Sequence, residues 1–145
     1  MEPVEILMAE DNRGDVTLVR EAMSELGLTH HVNVARDGVE AVDYLHRRGK
    51  YADALRPDLI VLDLKLPRKS GHEVLDDVQL DPELCDIPVV ILSSSRSELE
   101  VARARRRSAY RCLVKPSTFA GYVDLVRTVE TFRQTVAEER EKAKG

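Results

Sequence analysis

The chain has 145 residues, of which 43% are hydrophobic and 33% charged, and its net charge is −4 at pH 7. This length suits one domain with its own core, and the negative charge argues against general binding of nucleic acid, which needs a basic surface. The longest apolar runs, such as 59–62 and 88–92, are far too short to cross a bilayer. Because no secretory signal precedes the first strand, we expect a cytoplasmic protein with no membrane partner.

Short β-branched runs alternate along the chain with amphipathic helical stretches. In chain order, strands are predicted at 5–9, 31–35, 58–62, 88–92 and 110–114. Helices are predicted at about 13–26, 38–48, 71–80 and 97–107, and from 117 or 118 until the chain fades into a charged tail at 138–145. Ser97 is the predicted N-cap of the fourth helix, with Glu100 at the capping-box position. The alternation predicts an α/β domain with a parallel sheet covered by helices on both faces.

Polar residues follow four of the five predicted strands. Glu10 and Asp11 come after the first strand, Asp63 after the third, Ser93 after the fourth, and Lys115 after the fifth. In a doubly wound parallel sheet the functional crevice lies at the carboxyl ends of the strands, so these side chains should converge. Three carboxylates converge favourably only around a cation, for which Mg²⁺ is the best candidate. A lysine and a hydroxyl beside them suit a bound phosphoryl group.

Each of these features is ordinary when taken alone. An acidic residue after a strand usually caps a helix or lies in a loop, and serine clusters and Lys-Pro pairs usually mark turns. Four such features at four of the five strand ends are an improbable coincidence. The joint pattern therefore favours a functional site. The two cysteines, Cys85 and Cys112, and the four histidines lack the spacing of metal ligands. We expect both thiols to be reduced and assign the histidines no role.

The combination resembles the receiver domains of two-component response regulators over nearly the whole chain. The matching segments are 10–12, 63–67 with Gly71, 88–92 with Ser93, and Lys115 with Pro116. The stretches 34–38, 49–51, 56–58, 81–82 and 87–88 are similar to single-domain regulators that serve phytochrome-type histidine kinases. The resemblance implies a flavodoxin-like, doubly wound five-stranded parallel sheet in the order 2-1-3-4-5 with five helices. It also implies one receiver domain at 1–145, with a core of about 4–136 and a charged tail of about 137–145.

The resemblance implies a phosphorylation site built around Asp63. This aspartate is expected to accept a phosphoryl group from a sensor histidine kinase and to trigger a conformational change that is signalled through protein contacts. Asp11 and Asp63 are expected to bind Mg²⁺ directly, Glu10 to bind it through water, and Lys65 to bind it through its backbone carbonyl. The domain would assist its own phosphorylation and dephosphorylation without being an enzyme. A phosphate shuttle or sink within a phosphorelay remains the alternative.

The resemblance also implies how the site responds to phosphorylation. The Ser93 hydroxyl is expected to move onto the phosphoryl group, and Lys115 is expected to pair with that group. The peptide bond between Lys115 and Pro116 is expected to be cis.

Three positions depart from the family pattern. Cys112 stands at the position of the usual aromatic switch residue, so this switch is expected either to be absent or to have moved to Tyr110. Ser93 replaces a commoner threonine, and Lys65 replaces a small amide. The Lys65 side chain is therefore expected to reach the phosphoryl site and to alter the dephosphorylation rate.

Two other classes of function compete with this interpretation. A nucleotide or flavin enzyme on a similar fold would need a glycine-rich phosphate loop after the first strand. The loop at 10–15 is instead acidic and would repel phosphate without a cation. A degenerate receiver that serves only as a binding scaffold would normally lack the acidic pair, the phosphoacceptor or the lysine. All of these are present.

The last helix is predicted to be longer than the sheet requires, so that Phe132 and Val136 project beyond it and leave apolar surface uncovered. The neighbouring segment 103–111 is rich in arginine. Asp124 and Glu130 are possible acidic partners for it across a two-fold axis. We therefore predict a homodimer through the fourth helix, fifth strand and fifth helix, the face through which similar phytochrome-linked regulators often pair.

Overall fold

A computed structural model describes residues 3–103 and 110–144. Its strands are β1 (Glu5–Ala9), β2 (His31–Ala35), β3 (Leu59–Asp63), β4 (Val89–Ser93) and β5 (Tyr110–Val114). Its helices are α1 (Arg13–Glu25), α2 (Gly38–Leu45), α3 (Gly71–Leu80), α4 (Arg96–Arg103) and α5 (Phe119–Lys144). A short 3-10 helix, Gly49–Tyr51, lies within the polar loop before β3. Every one of these strands and α-helices starts within two residues of its predicted position. The predicted end of the fourth helix near Arg107 lies outside the described residues.

The five strands form one parallel sheet in the order β2-β1-β3-β4-β5, which confirms the predicted fold. Side chains of β3 and β4 are buried on both faces of the sheet, as expected for central strands covered by helices. Ile60 and Ile91 pack in the core with residues of α2, α3 and α4. Val61 and Val90 point to the other face and pack with α1 and α5. The alternation leaves only the strand ends available for polar chemistry.

Helix α4 begins earlier than predicted. The backbone N–H of Glu98 donates to the Ser95 hydroxyl at 3.4 Å, so Ser95 caps the helix and Arg96 is its first residue. The prediction of Ser97 as the N-cap is wrong, because the hydroxyl two residues earlier takes this role. Glu98 thereby occupies the third helical position, the one predicted for Glu100.

Helix α5 continues to Lys144, through most of the segment predicted as a charged tail. Alanine, glutamate, arginine and lysine dominate this segment, and all of them favour helix. Glu138 and Lys142 also stand four residues apart with opposite charges, the spacing that supports an exposed helix. In the described ranges, no helix is both long and apolar enough to span a membrane.

The inner face of α5 differs from the prediction at two residues. Val136 is only 6% exposed and lines a hollow with Val4 and Pro88, at the amino ends of the strands, so it does not project beyond the fold. Glu130 lies 3.0 Å from the buried His30 ring and 2.6 Å from Arg133. Burial raises the pKa of Glu130, but Arg133 and His30 outweigh it and leave that pKa below its usual value. Glu130 is therefore paired within the chain and is not a free partner for a second copy.

Helix α3 starts in close contact with the end of β3. The backbone N–H of Gly71 donates to the Leu64 carbonyl at 3.0 Å. A Cβ atom built on Gly71 would lie 2.4 Å from the carbonyl oxygen of Asp63, which is closer than any real contact allows. The absence of a side chain at Gly71 therefore permits the approach that fixes the loop after Asp63.

We predict that Gly71→Ala lowers the free energy of unfolding by about 1–3 kcal/mol, because the backbone must move to admit the methyl group. Denaturant unfolding followed by circular dichroism measures this change. Gly14→Ala is the control, since the atom that its methyl group would meet is the side-chain oxygen of Asn12, at 3.1 Å. Equal stability of Gly71→Ala and the wild type would contradict the steric argument.

Candidate functional site

The carboxyl edge of the sheet brings the predicted polar residues together. Glu10 follows β1, Asp63 ends β3, Ser93 ends β4, and Lys115 follows β5. The backbone N–H of Lys115 donates to the Ser93 carbonyl at 3.0 Å, which extends the pairing of β4 and β5 by one residue. The strand register thus determines where each side chain enters the site.

The ammonium group of Lys115 lies between three carboxylates. Its Nζ atom is 2.7 Å from Glu10 Oε1, 2.8 Å from Asp63 Oδ2 and 3.0 Å from Asp15 Oδ2. Burial lowers the pKa of Lys115. Hydrogen bonds with Asp63, Glu10 and Asp15 together have the larger, opposite effect, so the pKa of Lys115 lies above its usual value. The lysine is therefore a permanent positive charge at the centre of an acidic cluster.

The carboxylates of Asp63 and Glu10 are buried and held by backbone groups. Asp63 is 5% exposed, and its Oδ1 accepts the backbone N–H of Lys65 at 3.0 Å. Glu10 is 2% exposed, and its Oε2 accepts the backbone N–H of Asn12 at 3.2 Å. Burial, with a further contribution from Asp63, raises the pKa of Glu10 to about 7 despite the opposing effect of Lys115. One carboxylate of the cluster therefore titrates near neutral pH.

Three carboxylates of the cluster are arranged as a cation site would require. One oxygen from each of Glu10, Asp11 and Asp63 lies within 4.8 Å of the other two, and Asp11 is exposed to solvent. A set of oxygen atoms with this much negative charge fits a hard divalent cation such as Mg²⁺. The donor chemistry therefore agrees with the predicted metal.

Two predicted residues have side chains that contact a different partner. Ser93 is 1% exposed, and its hydroxyl donates to Glu98 Oε2 at 2.9 Å. The Lys65 side chain is 69% exposed, and its Nζ lies 3.9 Å from Glu98 Oε1. The backbone N–H of Lys65 donates to Asp63, whereas its ammonium group lies near Glu98. Both side chains are thus associated with the start of α4.

The peptide bond between Lys115 and Pro116 is trans, because no bond within the described ranges is cis. The prediction of a cis bond is therefore wrong. A trans bond before proline is favoured by roughly 0.5–1 kcal/mol. The Lys115 ammonium reaches Asp63 with the bond in this form.

Sequence reasoning missed two residues of the site, Asp15 and Glu98. Asp15 contacts the Lys115 ammonium, and Glu98 contacts the Ser93 hydroxyl. Each is an acidic residue three positions after a helix-capping residue, Asn12 or Ser95. This spacing is a signal that sequence analysis can detect, but it normally indicates a helix start and not a site.

A parallel α/β sheet with an acidic cluster and a partly buried lysine at its carboxyl edge is an arrangement suited to binding a phosphoryl group. Residues 6–127 match the sequence model of the response regulator receiver domain, and the chain belongs to this family. This confirms the predicted resemblance. The chain is accordingly a signalling domain of two-component phosphorelays.

Individual relatives cover most of the chain. Response regulator Rcp1 of Synechocystis is 35% identical over 130 residues, which are 90% of this chain and 88% of Rcp1. The crystal structure of the phosphorylated cyanobacterial phytochrome response regulator RcpA is 38% identical with a TM-score of 0.80, over 92% of this chain and 95% of RcpA. The Mn²⁺-bound form of Rcp1 is 34% identical with a TM-score of 0.78, over 90% of this chain and 94% of that structure.

The pKa of Glu10 predicts a pH dependence of metal binding. An acid whose pKa is raised to about 7 keeps its proton at about pH 6, so a divalent cation must displace that proton before it binds. We expect the affinity for Mg²⁺ to rise about tenfold between about pH 6 and about pH 8. Calorimetry in buffers with different ionisation heats should show nearly one proton released at the lower pH. Glu10→Gln should remove both effects, and an affinity that does not change with pH would contradict the assignment.

Proposed function

We propose that Asp63 accepts a phosphoryl group from a phosphohistidine and that the resulting change is read by partner proteins through direct contacts. The observation that carries this proposal is the buried Asp63 carboxylate, held by Lys115 on one oxygen and by a backbone N–H on the other. In the reaction, an Asp63 oxygen attacks phosphorus. A P–O bond forms as the P–N bond breaks, and the imidazole leaves and takes up a proton. Positioning and charge neutralisation supply most of the catalysis in such transfers.

The residues around Asp63 have complementary roles in this proposal. Asp11 and Asp63 would hold Mg²⁺ directly, Glu10 would hold it through water, and Lys65 would contribute its backbone carbonyl. The bound ion would neutralise charge on the phosphoryl oxygens. Lys115 would pair with the phosphoryl group, which also gains a hydrogen bond from Ser93 when that hydroxyl moves. The domain would assist its own phosphorylation and dephosphorylation in this way, without acting on a separate substrate.

The relatives support a particular kind of partner and setting. RcpA is a phytochrome response regulator, and it has been crystallised in a phosphorylated form. We therefore propose that the donor is a sensor histidine kinase of the phytochrome type, in the cytoplasm where the kinase obtains ATP. The residues 1–145 would act as one receiver domain. Because the relatives described above are response regulators, we favour a switch over a phosphate shuttle or sink.

Asp63→Asn should abolish Mg²⁺-dependent phosphorylation, because an amide oxygen is too weak a nucleophile to accept the phosphoryl group. Asp11→Asn should greatly weaken it by removing a proposed metal ligand. Mass spectrometry of the intact protein after incubation with acetyl phosphate and Mg²⁺ measures the added phosphoryl group. Asp53→Asn, at an exposed loop position, is the matched control and should be phosphorylated normally. Normal phosphorylation of Asp63→Asn would overturn the proposal.

A homodimer through α4, β5 and α5 is the second part of the proposal. Strand β5 is an edge of the sheet, and Val114 and Phe119 near its end are 42% and 40% exposed. A hollow of about 320 Å³ lies further along α5, lined by Arg111, Arg127, Thr128, Thr131, Phe132 and Thr135. Asp124 on α5 lies 3.4 Å from Arg127, but unlike the partly buried Glu130 it is 77% exposed, so its carboxylate stays accessible to a second copy. Apolar surface with charges of both signs suits a face that pairs with its own copy.

We expect the wild-type protein to sediment as a dimer at micromolar concentration, and Arg111→Glu to weaken the dimer at least about tenfold by reversing a charge at the proposed interface. Arg36→Glu makes the same change at an exposed position after β2, the opposite edge strand, and should leave the dimer intact. Sedimentation with and without a phosphoryl analogue would show whether the two events are coupled. A strict monomer at high micromolar concentration in both states would rule the dimer out.

A further inference from the structure

The Ser93 hydroxyl forms a hydrogen bond with a residue of α4. It donates its proton to Glu98 Oε2 at 2.9 Å, and its oxygen accepts the backbone N–H of Ser95 at 3.0 Å. A serine hydroxyl has a single proton to donate. In this resting arrangement the proton that Ser93 would offer to a phosphoryl group is therefore held by Glu98.

Glu98 is itself held in place by the start of α4. Its backbone N–H donates to the capping Ser95 hydroxyl at 3.4 Å, and an acidic side chain in the first turn is favoured by the helix dipole. In a standard capping box the glutamate side chain would accept the N–H of the capping residue. Here the Ser95 N–H goes to Ser93 instead, and the Glu98 carboxylate reaches Ser93. The Glu98 carboxylate therefore contacts the last residue of β4 and not the backbone of the capping residue.

In the pair of Ser93 and Glu98, the serine is buried and the glutamate is partly exposed to solvent. Ser93 is 1% exposed, whereas the Glu98 side chain is 30% exposed and its second oxygen lies 3.9 Å from the exposed Lys65 ammonium. An exposed ion pair at this distance contributes little stability. The hydrogen bond between Ser93 and the charged carboxylate is therefore the contact that matters for the position of the hydroxyl.

We propose that Glu98 is a positioning residue that holds the Ser93 hydroxyl away from the phosphoryl site, so that Glu98 and the phosphoryl group on Asp63 compete for one proton. This inference rests on the proposed roles of Asp63 and Ser93. Moving the hydroxyl requires breaking a hydrogen bond to a charged acceptor, and such bonds correspond to roughly 10- to 100-fold in an equilibrium constant. Water replaces part of this contribution once Glu98 is released. Glu98 would thereby set how readily the domain enters its phosphorylated conformation.

Binding of beryllofluoride in the presence of Mg²⁺, as a stable substitute for the phosphoryl group, tests the proposal. We expect Glu98→Ala to bind the analogue about five- to tenfold more tightly than the wild type, and Glu98→Gln to fall between them, because a neutral amide oxygen still accepts the hydroxyl. Removing a negative charge also favours any anion. The same substitutions are therefore compared in a Ser93→Ala background, where the gain specific to the hydroxyl must disappear. Glu100→Ala, which removes the same charge at an exposed position of α4, gives the electrostatic baseline.

A second measurement reads the resting state without metal or analogue. The Ser95 amide N–H donates to Ser93, so its NMR chemical shift should move in Glu98→Ala and stay in place in Glu100→Ala. An equal gain in affinity from Glu98→Ala in the Ser93 and Ser93→Ala backgrounds would overturn the role of Glu98 and leave the proposed function intact. If the wild type neither binds beryllofluoride nor becomes phosphorylated, the proposed function fails, and the role of Glu98 fails with it.

Discussion

The ammonium of Lys115, held between Glu10, Asp15 and Asp63, is the contact on which the rest of the site depends. Asp11 lies at the same edge without contacting Lys115, so the site holds four carboxylates and one partly buried ammonium group, and its net charge is −3 when all are ionised. Such crowding disfavours ionisation, and burial adds to it at Glu10. A divalent cation would relieve most of this repulsion. The charge pattern of the resting site is thus itself a reason to assign a metal there.

The sheet and the position of the site were predictable because they depend on the order of apolar runs. The segments 59–62 and 88–92 are too short for helices and too apolar for an exposed sheet, so they had to be central strands. Asp63 and Ser93 then lie at the carboxyl edge by the direction of the chain alone. The predicted end of the last helix was less accurate, because this part of the chain extends beyond the core. The segment 138–144 has no apolar pattern, and its helix depends on propensity and charge spacing.

Side-chain partners could not be predicted in the same way. Asp15 and Glu98 each occupy the third position of a helix, where an acidic residue needs no further explanation. Only the tertiary structure shows that one side chain reaches Lys115 and the other Ser93. Glu130 illustrates the opposite error, because sequence reasoning gave it an intermolecular partner. His30 is 100 residues away in the chain, and no local pattern indicates their contact.

The contact between Asp15 and Lys115 also connects the site to α5. Tyr122 of α5 is buried, and burial first, then the charge and hydrogen bond of Asp15, raise its pKa to about 12. Lys115 opposes this effect because its positive charge offsets that of Asp15. If Lys115 pairs with a phosphoryl group, Asp15 loses part of that compensation, and Tyr122 then faces a stronger negative charge. Asp15 therefore links α5 electrostatically to the site, because it interacts with both Lys115 and Tyr122. This connection does not pass through position 112 of β5, where Cys112 stands in place of the aromatic residue usual in the family.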